Sequence, residues 1–124
     1  AELRRTAKHS GIVSAGISLL SDRVRRELGM DFAVANELHV HRGKMTGGVT
    51  VNVSLERKPL VMNKVAHDWG CSLRECAVVG DNIFDLPSGA GLRIAFNPKD
   101  QGALDACDVV VRGPDLRGIL RHIR

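Results

Sequence analysis

The sequence has no tyrosine, one tryptophan and three phenylalanines in 124 residues. So few flat rings leave little surface for stacking on unpaired bases, which counts against a module for single-stranded nucleic acid. No apolar run approaches the roughly 20 residues needed to cross a bilayer. The opening segment, AELRRTAKHS, is polar and helix-like, so it does not read as a secretory signal. Cysteine is sparse: Cys71, Cys76 and Cys107. An odd count does not suggest a closed disulfide framework, and C-x4-C is not a usual zinc spacing. The three read as reduced thiols of a cytoplasmic protein, with Cys76 and Cys107 beside apolar runs as core residues. Internal repeats, low-complexity tracts and linkers are also missing.

What is present is an ordinary globular composition, 44% hydrophobic and 26% charged, with enough chain for one domain. The net charge is +4, carried largely by arginines such as Arg23, Arg25, Arg26, Arg117 and Arg121. A basic balance can serve a nucleic-acid partner, but spread arginines more commonly form solvated helix faces. Neither a membrane nor a nucleic acid is the partner this composition favours.

Apolar runs alternate with helical spacing. Residues 1–9 read as the end of a helix, 11–14 as a buried strand and 17–28 as a helix closed by Gly29. A short strand at 32–34 precedes a hairpin over 37–53 that turns at Gly43. Residues 58–69 form a helix, with Pro59 in the first turn where its missing N–H costs nothing. Strands at 76–80, 92–96 and 109–111 alternate with helices at 101–106 and 115–123. Buried strands alternating with helices indicate an α/β fold: a Rossmann-like parallel sheet with flanking helices and a projecting β-hairpin.

Three elements carry chemistry. The first is Val78-Val79-Gly80-Asp81-Asn82-Ile83-Phe84-Asp85-Leu86-Pro87. A strand delivers Asp81 to its C-terminal end, the edge where open α/β sheets bind ligands. Asp85, one turn later, can point back to the same spot, giving two hard oxygen donors suited to Mg²⁺. The same residues also suit a helix cap at Asp81 and a first-turn dipole residue at Asp85. The second element is Ser14-Ala15-Gly16, where a strand meets a helix; a hydroxyl and free N–H groups there can cradle an anion. A plain N-cap serine is the alternative. The third is Lys58, placed to neutralise phosphate charge at a helix start, although most lysines are simply solvated.

S-A-G at 14–16, A-N-E-L at 35–38, G-K-M-T-G at 43–47, E-R-K at 56–58, V-V-G-D-N-I-F-D-L-P at 78–87 and G-L-R-I-A-F-N at 91–97 follow one another in a familiar order. From about Ser10 to Ile123 the chain resembles the C-terminal portion of the phosphoserine phosphatase family, in the haloacid dehalogenase (HAD) superfamily. The resemblance implies a Mg²⁺-dependent phosphate monoester hydrolase working through an aspartyl-phosphate. Ser14, Ala15 and Gly16 would hold phosphate, Lys58 would steady the nucleophile and the phosphoryl group, and Asp81 and Asp85 would form the metal site. The substrate would be a small phosphorylated metabolite such as phosphoserine.

Two departures from that family stand out. The D-x-D-x-T motif, which supplies nucleophile and general acid from the first central strand, is absent, and no D-x-D occurs in the chain. The small cap that selects substrate is absent as well. The chain therefore reads as a partial core domain, a fragment or half of a split protein, completed by a second chain or an N-terminal segment. Without the central strand, two inner sheet edges would lack partners. The second departure is Phe84, where the family usually has asparagine. It keeps open an inactive phosphometabolite-binding relative, beside a phosphotransferase of the same fold.

Overall fold

A computed structural model describes residues 7–123. The helix expected over residues 1–9 falls mostly outside them, and residues 7–10 are not helical. The chain divides into two compact units, Ala1–Lys58 and Pro59–Arg124.

The first unit is built on strand β1 (Gly11–Ile17), helix α1 (Ser18–Leu28), strand β2 (Phe32–His41) and strand β3 (Lys44–Thr50). β1 and β2 run parallel through the α1 crossover, and β3 returns antiparallel to β2, in the order β1-β2-β3. Gly29 ends α1 in the left-handed region, its N–H reaching the carbonyls of Arg25 and Arg26. Arg42 and Gly43 make the two-residue hairpin turn, both with positive φ (51° and 77°). That is the backbone a tight hairpin with right-handed twist requires. The sequence suggests two short strands at 32–34 and 37–40; the structure has a single strand, β2. Ala35 and Asn36 are compatible with extended backbone, and β2 changes partner there: residues 32–36 face β1 and 37–41 face β3. The apolar spacing of α1 misleads, because Leu20 and Leu28 are exposed and Ser21 is the buried residue of the helix.

The second unit takes helix α2 (Lys58–Asp68), which starts at the boundary, then strand β4 (Ala77–Gly80), strand β5 (Leu92–Phe96), helix α3 (Gln101–Ala106), strand β6 (Val109–Val111) and helix α4 (Leu120–Ile123). All three strands are parallel, in the order β4-β5-β6. The strand period of two sends alternate side chains to opposite faces. Val78 and Ala95 pack with Leu86 and Ala103 in one cluster, while Ile94 and Val111 pack with Ile119 in another. Both faces are covered at β4 and β5, as the continuous apolar runs predict for a parallel sheet, while Val110 leaves one face of β6 exposed. Trp69, spaced to share a helical face with Val61 and Val65, directly follows α2 and is 38% exposed. The strands anticipated near 11–14, 76–80, 92–96 and 109–111 all exist and are all parallel to a neighbour. They fall in two three-stranded sheets, and among the described residues β1 pairs only with β2 and β4 only with β5.

No helix among the described residues is long and apolar enough to cross a membrane.

Candidate active site

Within the first unit, Ser14, Ala15 and Gly16 do not open a helix as the sequence suggests. They lie inside β1, which continues to Ile17, and α1 begins at Ser18. The ladder explains their placement. Val13 pairs with Val34 and Ile17 with Asn36, so three residues of β1 oppose the single Ala35 of β2. Ser14, Ala15 and Gly16 therefore bulge out of the sheet. Bulges of this kind re-aim side chains and recur beside active sites. The Gly16 N–H donates to Ser14 Oγ at 2.9 Å, which closes the bulge on itself.

The bulge is pinned by Asn36. Its Nδ2 donates to the Ala15 carbonyl and to the Val53 carbonyl, each at 2.9 Å. Its Oδ1 accepts from the N–H groups of Asn52 and Val53, each at 2.8 Å. Asn52 reciprocates, donating to the Ala35 carbonyl at 3.0 Å. One side-chain amide thus fastens the bulge to the chain leaving the hairpin, next to the buried Ala35 and Val53. A-N-E-L stands out in the sequence, but the role of its asparagine does not: nothing local to 35–38 signals partners 17 and 21 residues away.

Lys58 is the first residue of α2 and half-buried, its N–H donating to the Leu55 carbonyl at 3.3 Å.

In the second unit, β4 ends at Gly80 and presents Asp81 at its C-terminal edge. The next element is a 3₁₀ turn (Ile83–Asp85), not an α-helix, and its cap is Asn82, whose Oδ1 accepts from the Phe84 N–H at 3.0 Å. Asp81 is therefore left out of capping. Asp85 is 6% exposed and folds back beneath Asp81. Its Oδ2 accepts from the N–H groups of Asp81 (3.2 Å) and Asn82 (3.4 Å). This packing requires glycine at position 80, where any Cβ would overlap the Asp85 side chain.

The Asp81 carboxylate stays accessible. It pairs with Lys99 Nζ at 3.1 Å and accepts from Asn82 Nδ2 at 3.4 Å. Lys99 also donates its backbone N–H to the Asp81 carbonyl at 2.8 Å. Asn97, at the end of β5 with φ of 47°, exchanges two hydrogen bonds with Gly113 beyond β6. The C-terminal ends of β4 and β5 are thus tied through Lys99, by its side chain and by its backbone, and those of β5 and β6 by the Asn97 side chain. Lys99 carried no local sequence signal, since it meets Asp81 only through β5.

As metal donors, Asp81 and Asp85 are a pair of oxygens without sulfur or imidazole nearby. Among the described residues no group of three His, Cys, Asp or Glu gathers around them or elsewhere. The pair suits Mg²⁺, which keeps several waters and needs few protein carboxylates. Asp81 is the accessible donor; Asp85 holds the loop that presents it. Phe84 is 37% exposed beside them.

Comparison with known proteins gives this geometry a context. The sequence model of the haloacid dehalogenase-like hydrolase family matches residues 1–90. A phosphoserine phosphatase of Methanocaldococcus jannaschii is 34% identical over 99% of this chain, which covers 59% of that protein. A substrate-bound phosphoserine phosphatase structure superposes with a TM-score of 0.80 at 33% identity, over 94% of this chain and 56% of the other. A phospho-aspartyl intermediate analogue of phosphoserine phosphatase gives 0.79 at 33% identity, over 92% and 56%. The chain spans less than two thirds of the length of each of these relatives.

Proposed function

The chain belongs to the haloacid dehalogenase-like hydrolase family, and from that premise we propose that it is part of a cytoplasmic, Mg²⁺-dependent phosphate monoester hydrolase of the phosphoserine phosphatase type. The 124 residues are read as one partial catalytic core. The observation that carries the reading is Asp81, accessible at the C-terminal end of a parallel strand and held there by the buried Asp85. The relatives captured with substrate and as a phospho-aspartyl analogue support the substrate class and the covalent route.

In this reading phosphate oxygens displace the contact between the Gly16 N–H and Ser14 Oγ and bind the Ser14 hydroxyl and the Ala15 and Gly16 N–H groups, and the Lys58 ammonium offsets charge as it moves between oxygens. Asp81 holds Mg²⁺, and Asp85 fixes the backbone that presents it. The bound ion supplies charge neutralisation at the phosphoryl group during transfer. An aspartate nucleophile attacks phosphorus, and water then releases phosphate from the aspartyl-phosphate. That nucleophile comes from outside these 124 residues, from a preceding segment or a second chain, because Asp81 and Asp85 are committed and no D-x-D is present.

The test is a phosphatase assay on phosphoserine with a magnesium titration, with the D-x-D-x-T strand supplied in the same or a second chain. Asp81→Ala should abolish turnover, and Asp85→Asn should weaken it less. The 124 residues alone should show no turnover, because removing one member of a catalytic unit costs several orders of magnitude. Full activity in Asp81→Ala, or turnover by the chain unaided, would refute the assignment.

A further inference from the structure

Two of the three cysteines meet. Cys71 follows α2 and Cys76 immediately precedes β4, and their Sγ atoms lie 3.9 Å apart. The loop between them is fixed from several sides. Gly70 turns with φ of 76°, and the Cys71 N–H donates to the Ala66 carbonyl at 3.0 Å. Glu75 Oε1 accepts from the Ser72 N–H at 3.1 Å and from its hydroxyl at 3.2 Å. The Cys76 N–H donates to the Leu73 carbonyl at 3.0 Å, and its own carbonyl accepts from Gly91 and Leu92. Both thiols are half-buried and reduced, each donating to a nearby carbonyl: Cys71 to Ala66 and Cys76 to Ser72. Zinc does not account for the pair, because no third ligand joins it among the described residues. Cys107 lies apart, donating to the Leu104 carbonyl at 3.3 Å.

Such a pair is placed for bond formation. An S–S bond needs sulfurs about 2 Å apart, so the pair has only about 2 Å to close. We propose that Cys71 and Cys76 are a reversible modification site, oxidised by a small-molecule disulfide to an intramolecular disulfide that clasps the end of α2 to the start of β4. The inference stands on this geometry and is independent of the phosphatase reading.

The chemistry balances in two exchanges. The Cys71 thiolate attacks the small disulfide, forming a mixed disulfide and releasing one small thiolate. Cys76 then loses its proton to solvent and attacks Cys71 Sγ, releasing the second. Two electrons and two protons leave the protein and end on two small thiols. The order follows from the surroundings. Burial, with the hydrogen bond and charge of Cys71 and the charge of Glu75, pushes the Cys76 thiol up to about 11. Cys76 is thus the poorer first nucleophile. Once Cys71 is in a mixed disulfide, its share of that shift is gone.

The protein should be equilibrated with graded mixtures of reduced and oxidised glutathione, natively and in concentrated guanidinium chloride. Free thiols are then blocked and the protein is mapped with trypsin without reductant. Cleavage after Arg74 separates the two cysteines, so the disulfide joins peptides 65–74 and 75–93. We expect this linked pair, reversed by reductant, to form at least about tenfold more readily in the native than in the unfolded protein, because the fold pre-aligns the thiols. In Cys76→Ser, Cys71 should accumulate as the glutathione mixed disulfide. Equal or poorer oxidation in the native state, oxidation at Cys107 instead, or an unmodified Cys71 in Cys76→Ser would overturn the proposal. The native map of the unmutated protein decides the first two points even if the variant misfolds.

Discussion

Replacing Asn36 with alanine removes four hydrogen bonds at once: two donated by Nδ2 to Ala15 and Val53, two accepted by Oδ1 from Asn52 and Val53. Three of these are part-buried and one is exposed, so water can replace the exposed bond at little cost. At about 1 kcal/mol net for each part-buried bond, the loss is roughly 3 kcal/mol. Amide hydrogen exchange reads this locally, which suits a chain of two units. The Val53 amide, now without its acceptor, should exchange on the order of a hundredfold faster, since about 1.4 kcal/mol is a factor of ten. The Ile94 amide, in the β4-β5 ladder of the second unit, should be unchanged and serves as the control. Asn36→Asp is the sharper variant. It keeps an acceptor for Asn52 and Val53 but turns a carboxylate toward the Ala15 and Val53 carbonyls. Its folded-state pKa should therefore be raised, and its destabilisation should ease as pH falls and the carboxylate protonates. A change at Val53 of less than about threefold in Asn36→Ala would mean that the amide does not hold the bulge and that the additive estimate fails.

Gly80→Ala should destabilise the second unit by about 2–4 kcal/mol, because its methyl displaces the buried Asp85 and strains the two N–H bonds that Asp85 accepts; a chemical melt followed by Trp69 fluorescence should fall early, and an unchanged midpoint would contradict the packing. Asp81→Asn should keep that melt within about 0.5 kcal/mol while Asp85→Asn loses about 1–2 kcal/mol, so that equal effects of the two would remove the distinction between presenting and supporting carboxylates. The Cys76 thiol is raised from 9.0 to about 11, so the folded state holds its proton more tightly than the unfolded chain. Its contribution is complete below the unfolded value and disappears as pH climbs from 9.0 to about 11. Thermal melts across that window should show a decline that Cys76→Ala lacks, and parallel declines in both proteins would refute it.

The second unit was largely legible in the sequence. Val78-Val79 and Ile94-Ala95 are apolar runs whose two faces both find cores, Val109-Val110-Val111 covers one face only because Val110 is exposed, and Gly-Asp marks the C-terminal end of the first run. The first unit was legible in outline only. A bulge is a mismatch between two strands, and β1 alone does not reveal that three of its residues face one of β2. Ser14-Ala15-Gly16 therefore looked like a strand end meeting a helix. The pattern of α1 misled because spacing gives a face but not its partner: Leu20 and Leu28 share a stripe that is exposed, and the small Ser21 is the residue that is buried. Asn36 and Lys99 act through contacts 16–21 and 18 residues away, beyond the reach of any local window.

The turn at Arg42-Gly43 sets a sequence of events in folding. β2 and β3 are separated by two residues, so their ladder closes over a short loop, and hairpins of this kind form in about 1–10 μs. β1 reaches β2 only across the whole of α1, a longer closure with a larger entropic barrier. The hairpin is therefore expected to be the early structure of the first unit, with β1 docking onto a strand already half committed. Substitutions in the hairpin, such as Val49→Ala, should slow folding, whereas Val13→Ala should mainly speed unfolding. Stopped-flow kinetics on the two variants would distinguish this order from its reverse, in which Val13→Ala slows folding more.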